Sequence, residues 1–540
     1  MHALRTFPLA LLLLAGAVPV VLAQEHAHAA AGEKLGTVHF ATSCRATTGP
    51  QFDRAIALLH SFEFRAAIAG FNTVLAGDSS CAMAHWGIAL SRWGNPFTSS
   101  LRPAAQLQLG REAIDRADRA ATATPRERGY VAAAAQLFAD HERTDQRSRI
   151  VAYERAMGEL AARHPDDTEA SIFYALALTA AARPDDKTYA NQLQAVAILD
   201  RIALHQPDHP GLAHYLIHSH DFPALAGGGL DAARRYASIA PSAPHALHMP
   251  SHIFTRVGSW EESINTNLKS IAAARRDGSL AEALHASDYM MYGYLQTGQD
   301  RAAKAILDGL PAMAAKFDPN VVASAAPGSA GVFALAAIPA RWALERGAWA
   351  EAAALEPHRT AFPFADALTW FARALGAARV GNVVTARASL DSLREMQERL
   401  ARAGEGYWAE QVDIARLGGA AWLAYAEHDT GTALALMRTA AAREDRTEKA
   451  AITPGPLAPA RELLGDMLLE LDRPAEALAA YRATLEAEPN RFRTLYGAMR
   501  AASLVGDQAA AARYAAQLQV ICQPGDVPGR PELAALRSRR

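Results

Sequence analysis

The stretch ARELLGDMLLELDRPAEALAAYRATLEAEPN, residues 460–490, decides the fold. It reads as two helical segments on either side of the break LDRP. Leu464 and Gly465 fall in the first segment, Ala477 and Tyr481 in the second, and Pro489 closes the unit. Two antiparallel helices approach closely only where small side chains sit at the crossing, which is the role of Gly465 and Ala477. Tyr481 then fills the groove beside them, and Pro489 ends the second helix because it lacks an N–H and fixes φ.

This spelling resembles the tetratricopeptide repeat. The same grammar recurs along the chain in weaker form. EFRAAIAGFNTVLAGD (63–78) places Ala67 and Phe71 four apart, and CAMAHWGIAL opens the next hairpin with Trp86-Gly87. GSWEESINTNLKS (258–270), TGQDRAAKAILDGL (297–310), GAWAEAAALEP (347–357) and TGTALALMRTAAA (430–442) each read as a turn followed by a helix. GDQAAAARYAAQL (506–518) repeats the 472–484 pattern. The fold expected is all-α, a right-handed α-α superhelical solenoid of such hairpins, with first helices lining a concave groove and second helices facing out. DFPALAGGG (221–229), DPNVVASAAPGSAG (318–331) and AITPGPLAPA (451–460) read as loops or insertions.

Residues 1–23 read as a cleaved signal peptide. Arg5 supplies the positive end, PLALLLLAGAVPVVLA the apolar run, and Val21-Leu22-Ala23 the cleavage site. No cysteine follows that run, so a lipid anchor is not expected, and no later segment offers 18 uncharged apolar residues. The expected location is the periplasm or outside the cell, without membrane insertion. Residues 24–48 read as an extended lead-in and 49–540 as a continuous solenoid. Within it, 49–310 carries a histidine-rich groove and 332–520 the clearest repeats. A net charge of −2 argues against a nucleic-acid partner. Of three cysteines, Cys44 and Cys81 flank the first helices and can pair in an oxidising compartment, leaving Cys522 over.

The chemistry concentrates elsewhere. HYLIHSHD carries His214, His218 and His220, and PHALHMPSH carries His245, His248 and His252, so six of 19 histidines fall in two short blocks. His214 and His248 stand one repeat period apart, as do His218 and His252. Within each block the pair is i, i+4, on one helical face. At the matching positions of the following hairpin stand His285, Asp288 and Tyr292. Pro250, between His248 and His252, threatens the second pair by removing a helical hydrogen bond. Neutral imidazole is a common ligand for copper and zinc. The expected site is therefore one copper or zinc ion on His214, His218, His248 and His252, with His245 and His285 secondary and Asp288 a fifth ligand or a partner of a ligand. Gln24-Glu25-His26 is a weaker amino-terminal copper motif. Tyr215, Phe254, Tyr289, Tyr292 and Tyr294 offer contact area for a peptide, protein segment or small molecule in the groove.

The whole chain after residue 23 also resembles a group of exported bacterial tetratricopeptide-repeat proteins that carry blocks like FDRAIALLHSF, CAMAHWGIA, HYLIHSHDFP, APHALHMPSHIFTRVG and PGPLAPARELLGDMLLE. That resemblance implies a solenoid throughout and no established activity. Nucleophile-elbow, phosphate-loop and haem-attachment motifs are absent from the sequence. Three functions stay open at this point: a groove that binds a peptide, protein or small ligand, a copper or zinc protein, and a metal-dependent hydrolase at the same histidines. For the last, Asp221, Glu261, Glu262 and Asp288 are candidate bases.

Overall fold

A computed structural model describes residues 32–321 and 325–537 of the chain. The signal-peptide segment 1–23, the site at Gln24-Glu25-His26 and the start of the lead-in lie outside the described residues. Among the described residues there is no strand, and helices follow one another from Gly49–His60 to Pro531–Arg537.

One local device repeats. Helices end on a residue with positive φ, and the next N–H reaches back five residues. Gly258, Gly278 and Gly298 share φ +69°, and the backbone bonds Ser259 to Phe254, Ser279 to Ala274 and Gln299 to Tyr294 span 2.8, 2.8 and 2.9 Å. The left-handed turn satisfies carbonyls orphaned at the helix end and reverses the chain within three residues, so consecutive helices become antiparallel neighbours.

The 460–490 unit folds as helices Ala460–Glu470 and Pro474–Ala487. Tyr481 is fully buried between Gly465 and Gly497, and a Cβ added at those glycines would come within 2.7 and 2.4 Å of its ring. Gly465→Ala is expected to cost about 1–3 kcal/mol, because the ring has packed neighbours on both sides. A thermal melt checks it, and an unchanged midpoint contradicts the close-crossing account.

Between 210 and 345 the inner helices are Pro210–His220, the tandem Pro244–His248 and Pro250–Arg256, Leu280–Gln296 and Gly328–Glu345. Helices Leu230–Ile239, Trp260–Arg276 and Asp300–Ala314 alternate with them in sequence. Pro250 opens a new helical segment, yet Met249 keeps helical angles (φ −51°, ψ −37°), so the two pieces continue without a change of course. Cys44 and Cys81 form a disulfide, and Cys522 is buried outside it.

Two segments that read as connections pack against the helices. In the lead-in, Thr37 N–H donates to Asp208 O at 3.0 Å, and Phe40 is buried beside Phe52, Trp86 and Tyr130. Residues 448–460 cross the inner helices. Tyr289 Oη lies 3.0 Å from both Ala451 O and Thr453 O, and Arg341 donates to Gly455 O at 2.8 Å and Pro456 O at 3.2 Å. The concave side at this level is therefore covered by the chain itself.

Candidate metal centre

Successive inner helices put six imidazoles in one buried layer. Nitrogens that come within 4.8 Å of one another fall into two triads: His214, His218 and His245, and His248, His252 and His285. Each triad combines an i, i+4 pair from one inner helix with a single histidine from the next. The middle helix serves both, giving His245 to the first triad and His248 and His252 to the second. The triads adjoin, with ring centroids of His218 and His252 6.0 Å apart, and those of His245 and His248 also 6.0 Å apart. The four histidines expected around one point are thus distributed two and two, with the helix pairs intact.

The rings are oriented by hydrogen bonds at their outer nitrogens. His214 Nδ1 lies 2.6 Å from His60 O. His245 Nδ1 lies 3.0 Å from Glu282 Oε1. His248 Nδ1 lies 2.7 Å from Asn267 Oδ1, and the Asn267 amide is fixed by donating to Ser263 O at 2.8 Å. His252 Nδ1 lies 2.9 Å from Asp221 Oδ2. Each outer partner is an acceptor, so each Nδ1 carries the proton and each Nε2 presents a lone pair inward. The inward atoms crowd: Nε2 of His248 and His252 stand 3.1 Å apart, as do those of His214 and His218. Nε2 of His245 and Nδ1 of His285 are buried and, among the described residues, have no hydrogen-bond partner.

Burial is the main cause that holds these imidazoles neutral. It drives His214, His218, His245 and His285 well below the ordinary histidine value, with neighbouring histidines adding to the effect. His248 is pushed down to about 3 by burial and by His252. For His252 burial again dominates, against the pull of Asp221. Burial alone would raise Asp221, but Lys449, Arg256 and His252 outweigh it and hold it well below the carboxylate range. Lys449 itself comes down to about 8 through burial.

Aromatic rings close the layer. Phe62 packs edge-on to His214 with centroids 4.3 Å apart, and Phe97 stacks on His218 at 3.9 Å. Such an apolar jacket excludes water and stiffens the ligands.

Several expectations for the groove need correction. Asp288 is not beside the triads' nitrogens. Its carboxylate takes Arg341 Nε at 2.8 Å and Nη2 at 3.4 Å, and both side chains are fully buried. Tyr215, Phe254, Tyr289 and Tyr292 are at most 5% exposed, so they are core and not an open contact surface. Tyr215 Oη holds His60 Nδ1 at 2.9 Å, and Tyr292 Oη accepts from Arg491 at 2.9 Å. His220 bonds Leu216 O and belongs to neither triad. Asn267 and Glu282 escape a reading of the sequence because nothing in their spacing marks them. A third cluster escapes it too: Glu169 takes His60 Nε2 and His209 Nε2 on its two oxygens, each at 3.0 Å.

No family model and no curated protein matches the chain. Among solved structures it is similar to yeast Tom70, at 13% identity over 86% of this chain and 96% of that one, with a TM-score of 0.38. It is similar also to a human IFIT1 dimer with m7Gppp-AAAA, at 10% identity over 82% and 90%, TM-score 0.36. A third likeness is to the APC/C hetero-tetramer Cut9-Hcn1, at 11% identity over 92% and 96%, TM-score 0.27. Such distant overlays say nothing about chemistry, and what the site can do is taken from its own atoms.

Proposed function

We propose that this chain is a helical-hairpin scaffold built around a pair of copper ions. One ion sits on His214, His218 and His245, the other on His248, His252 and His285. The observation that carries the reading is the contact between His248 and His252. Asn267 and Asp221 fix the proton of each ring on Nδ1, so two lone pairs face each other at 3.1 Å in a buried site. Without a cation this contact is repulsive. With metal–nitrogen distances near 2.0–2.1 Å the same separation is the edge of a coordination sphere, with an angle of about 100° at the ion. A shared proton is the other cation that could sit there, and burial works against it by lowering both groups.

Charge supports copper over zinc. All six donors are neutral, and of the two acids that touch the triads, Asp221 is already matched by Arg256 at 2.9 Å and Lys449 at 3.1 Å, while Glu282 accepts from His245 Nδ1 and Ala326 N–H at 3.0 Å each. The cost of burying an ion rises with the square of its charge, so a monovalent ion fits this surrounding better than a divalent one. Imidazole suits copper. The signal-peptide pattern of residues 1–23 and the Cys44–Cys81 disulfide support an exported setting.

None of the four bases expected for the hydrolase alternative stands free beside a triad. Asp221 and Asp288 are tied to cations, and Glu261 and Glu262 lie on the helix Trp260–Arg276, where Glu262 pairs with Arg234. Ligand or peptide binding is supported by an open cleft of about 760 Å³ lined in part by Arg147, Arg183 and Tyr407, and by a cavity of about 390 Å³ lined in part by Phe364, Trp408 and Lys449.

The test is copper content after anaerobic loading with copper(I) and gel filtration. Two ions per chain are expected. His252→Asn should hold one or fewer, while His39→Asn, at an exposed histidine, should hold two. Wild-type protein that retains no copper, or a His252→Asn protein that retains the full complement, overturns the proposal.

A further inference from the structure

A small cavity lies where the two triads meet. Its walls include His218 and His245 from the first triad and His252 and His285 from the second, with Phe97 and Ile452. Its volume is about 30 Å³, against roughly 10–15 Å³ for one water on the same measure. A diatomic molecule fits, and a phenol-sized ring does not. Phe97, stacked on His218, also lines the 760 Å³ cleft, as do Thr98, Ser99 and Ala451, so these residues form the partition between cleft and cavity.

We propose that this cavity binds dioxygen between the two ions. The inference rests on the two-copper reading. Three nitrogens per ion leave each copper(I) a side that faces the cavity, and the space the ions share is sized for a ligand of two atoms. The step balances without another reactant. Each copper(I) gives one electron to dioxygen, both ions become copper(II), the O–O bond order falls from two to one, and the resulting peroxide bridges the ions. No proton or external reductant is needed.

Charge again decides why this site suits that reaction. Two copper(I) ions bring a charge of +2. After transfer, two copper(II) ions and one peroxide dianion also sum to +2. A buried layer surrounded by neutral imidazoles and apolar rings therefore sees no change in net charge, and the large penalty for creating uncompensated charge in a low-dielectric interior is avoided. One-electron oxidation of a single ion has no such compensation.

Phe97 controls entry. Dioxygen coming from the cleft passes beside its ring, so Phe97→Ala, its copper content measured first, is expected to speed dioxygen binding several-fold per loaded pair of ions.

The experiment uses full-length protein loaded anaerobically with copper(I), its copper content measured first. Dioxygen is then titrated while uptake, copper oxidation state and the electron paramagnetic resonance signal are followed. Expected are one dioxygen per two coppers, oxidation of both ions together, and no resonance signal, because the bridged copper(II) ions are coupled. Failure to load two coppers defeats the two-ion reading itself. Full loading followed by no uptake, or by the signal of isolated copper(II), leaves that reading standing and overturns the dioxygen inference. Phe97→Ala protein that binds dioxygen at the wild-type rate overturns the entry route.

Discussion

Asp288→Ala lowers the stability of the chain by about 3–5 kcal/mol and leaves its copper content unchanged. The size of the effect comes from what is left behind. Arg341 is fully buried on the inner helix Gly328–Glu345, and Asp288 is its carboxylate partner at 2.8 Å. Its remaining partners are neutral: Thr453 Oγ1 at 2.8 Å, Gly455 O at 2.8 Å and Pro456 O at 3.2 Å. Removing Asp288 therefore strands a guanidinium in the interior and loosens the segment that crosses the inner helices. Burial pushes the Asp288 carboxyl up against the pull of Arg341, so the pair is costly to build and costlier to break from one side. Asp288→Asn keeps the shape and one acceptor and should lose less. Denaturant titration combined with elemental analysis checks both parts. A variant of near-normal stability that has lost an ion would return Asp288 to the ligand set.

That result would also mark where spacing stops being informative. Asp288 lies one turn beyond His285, and on spacing alone it belongs to the same face. Its partner is 53 positions away on a helix that no local pattern links to it. The hairpins were legible because Gly465, Ala477 and Tyr481 satisfy a packing requirement that is local, and the left-handed glycines repeat with it. The histidine pairs were legible for the same reason, since i, i+4 and one repeat period are both short-range relations. Their assignment to a single ion was not secured by spacing. Neighbouring helices lie about 8–10 Å apart, while ligands to one ion lie within a few ångströms of each other. The middle helix turns His245 toward Pro210–His220 and His248 and His252 toward Leu280–Gln296, so the expected four divide between two crevices. The third member of each triad follows from that geometry: His245 and His285 each stand on the helix that closes the crevice. Asn267, Glu282 and the covering segment near Thr453 reach the site only through tertiary packing, and nothing in their own sequence announces it.

Acidifying the copper-loaded protein should release both ions well below pH 6.5, in one step with loss of helical structure. A solvent-exposed imidazole competes for protons near pH 6.5. Here burial lowers the triads' histidines, and His248 comes down to about 3. The unfolded chain regains the ordinary value, so between roughly pH 6.5 and 3 it binds more protons than the folded chain. The stability these histidines contribute to the metal-free protein is therefore fully present above pH 6.5 and declines as pH falls through that window, by up to about 1.4 kcal/mol per pH unit for each such histidine. Glu169 adds to the decline at the acid end. Burial would raise it, but His209 and His60 hold it low, so its contribution is lost as pH falls below its unfolded value. The charged groups around the triads do not reverse the sign. Asp221, held ionised by Lys449 and Arg256, adds to the decline below its unfolded value, whereas Glu63, pushed up to about 8 by burial and Glu282, is protonated in the folded chain and ionised in the unfolded one below that pH and offsets one histidine of the six. Bound copper adds free energy to the folded side only, which moves unfolding further into acid. Copper retention, circular dichroism and denaturant midpoints measured together from pH 7 to pH 3 decide the matter. Retention at pH 5.5 followed by joint loss of metal and helix is the expected course. Release centred near pH 6.5 from a chain that stays fully helical would mean that the imidazoles titrate as exposed groups, and the buried two-ion site would have to be abandoned.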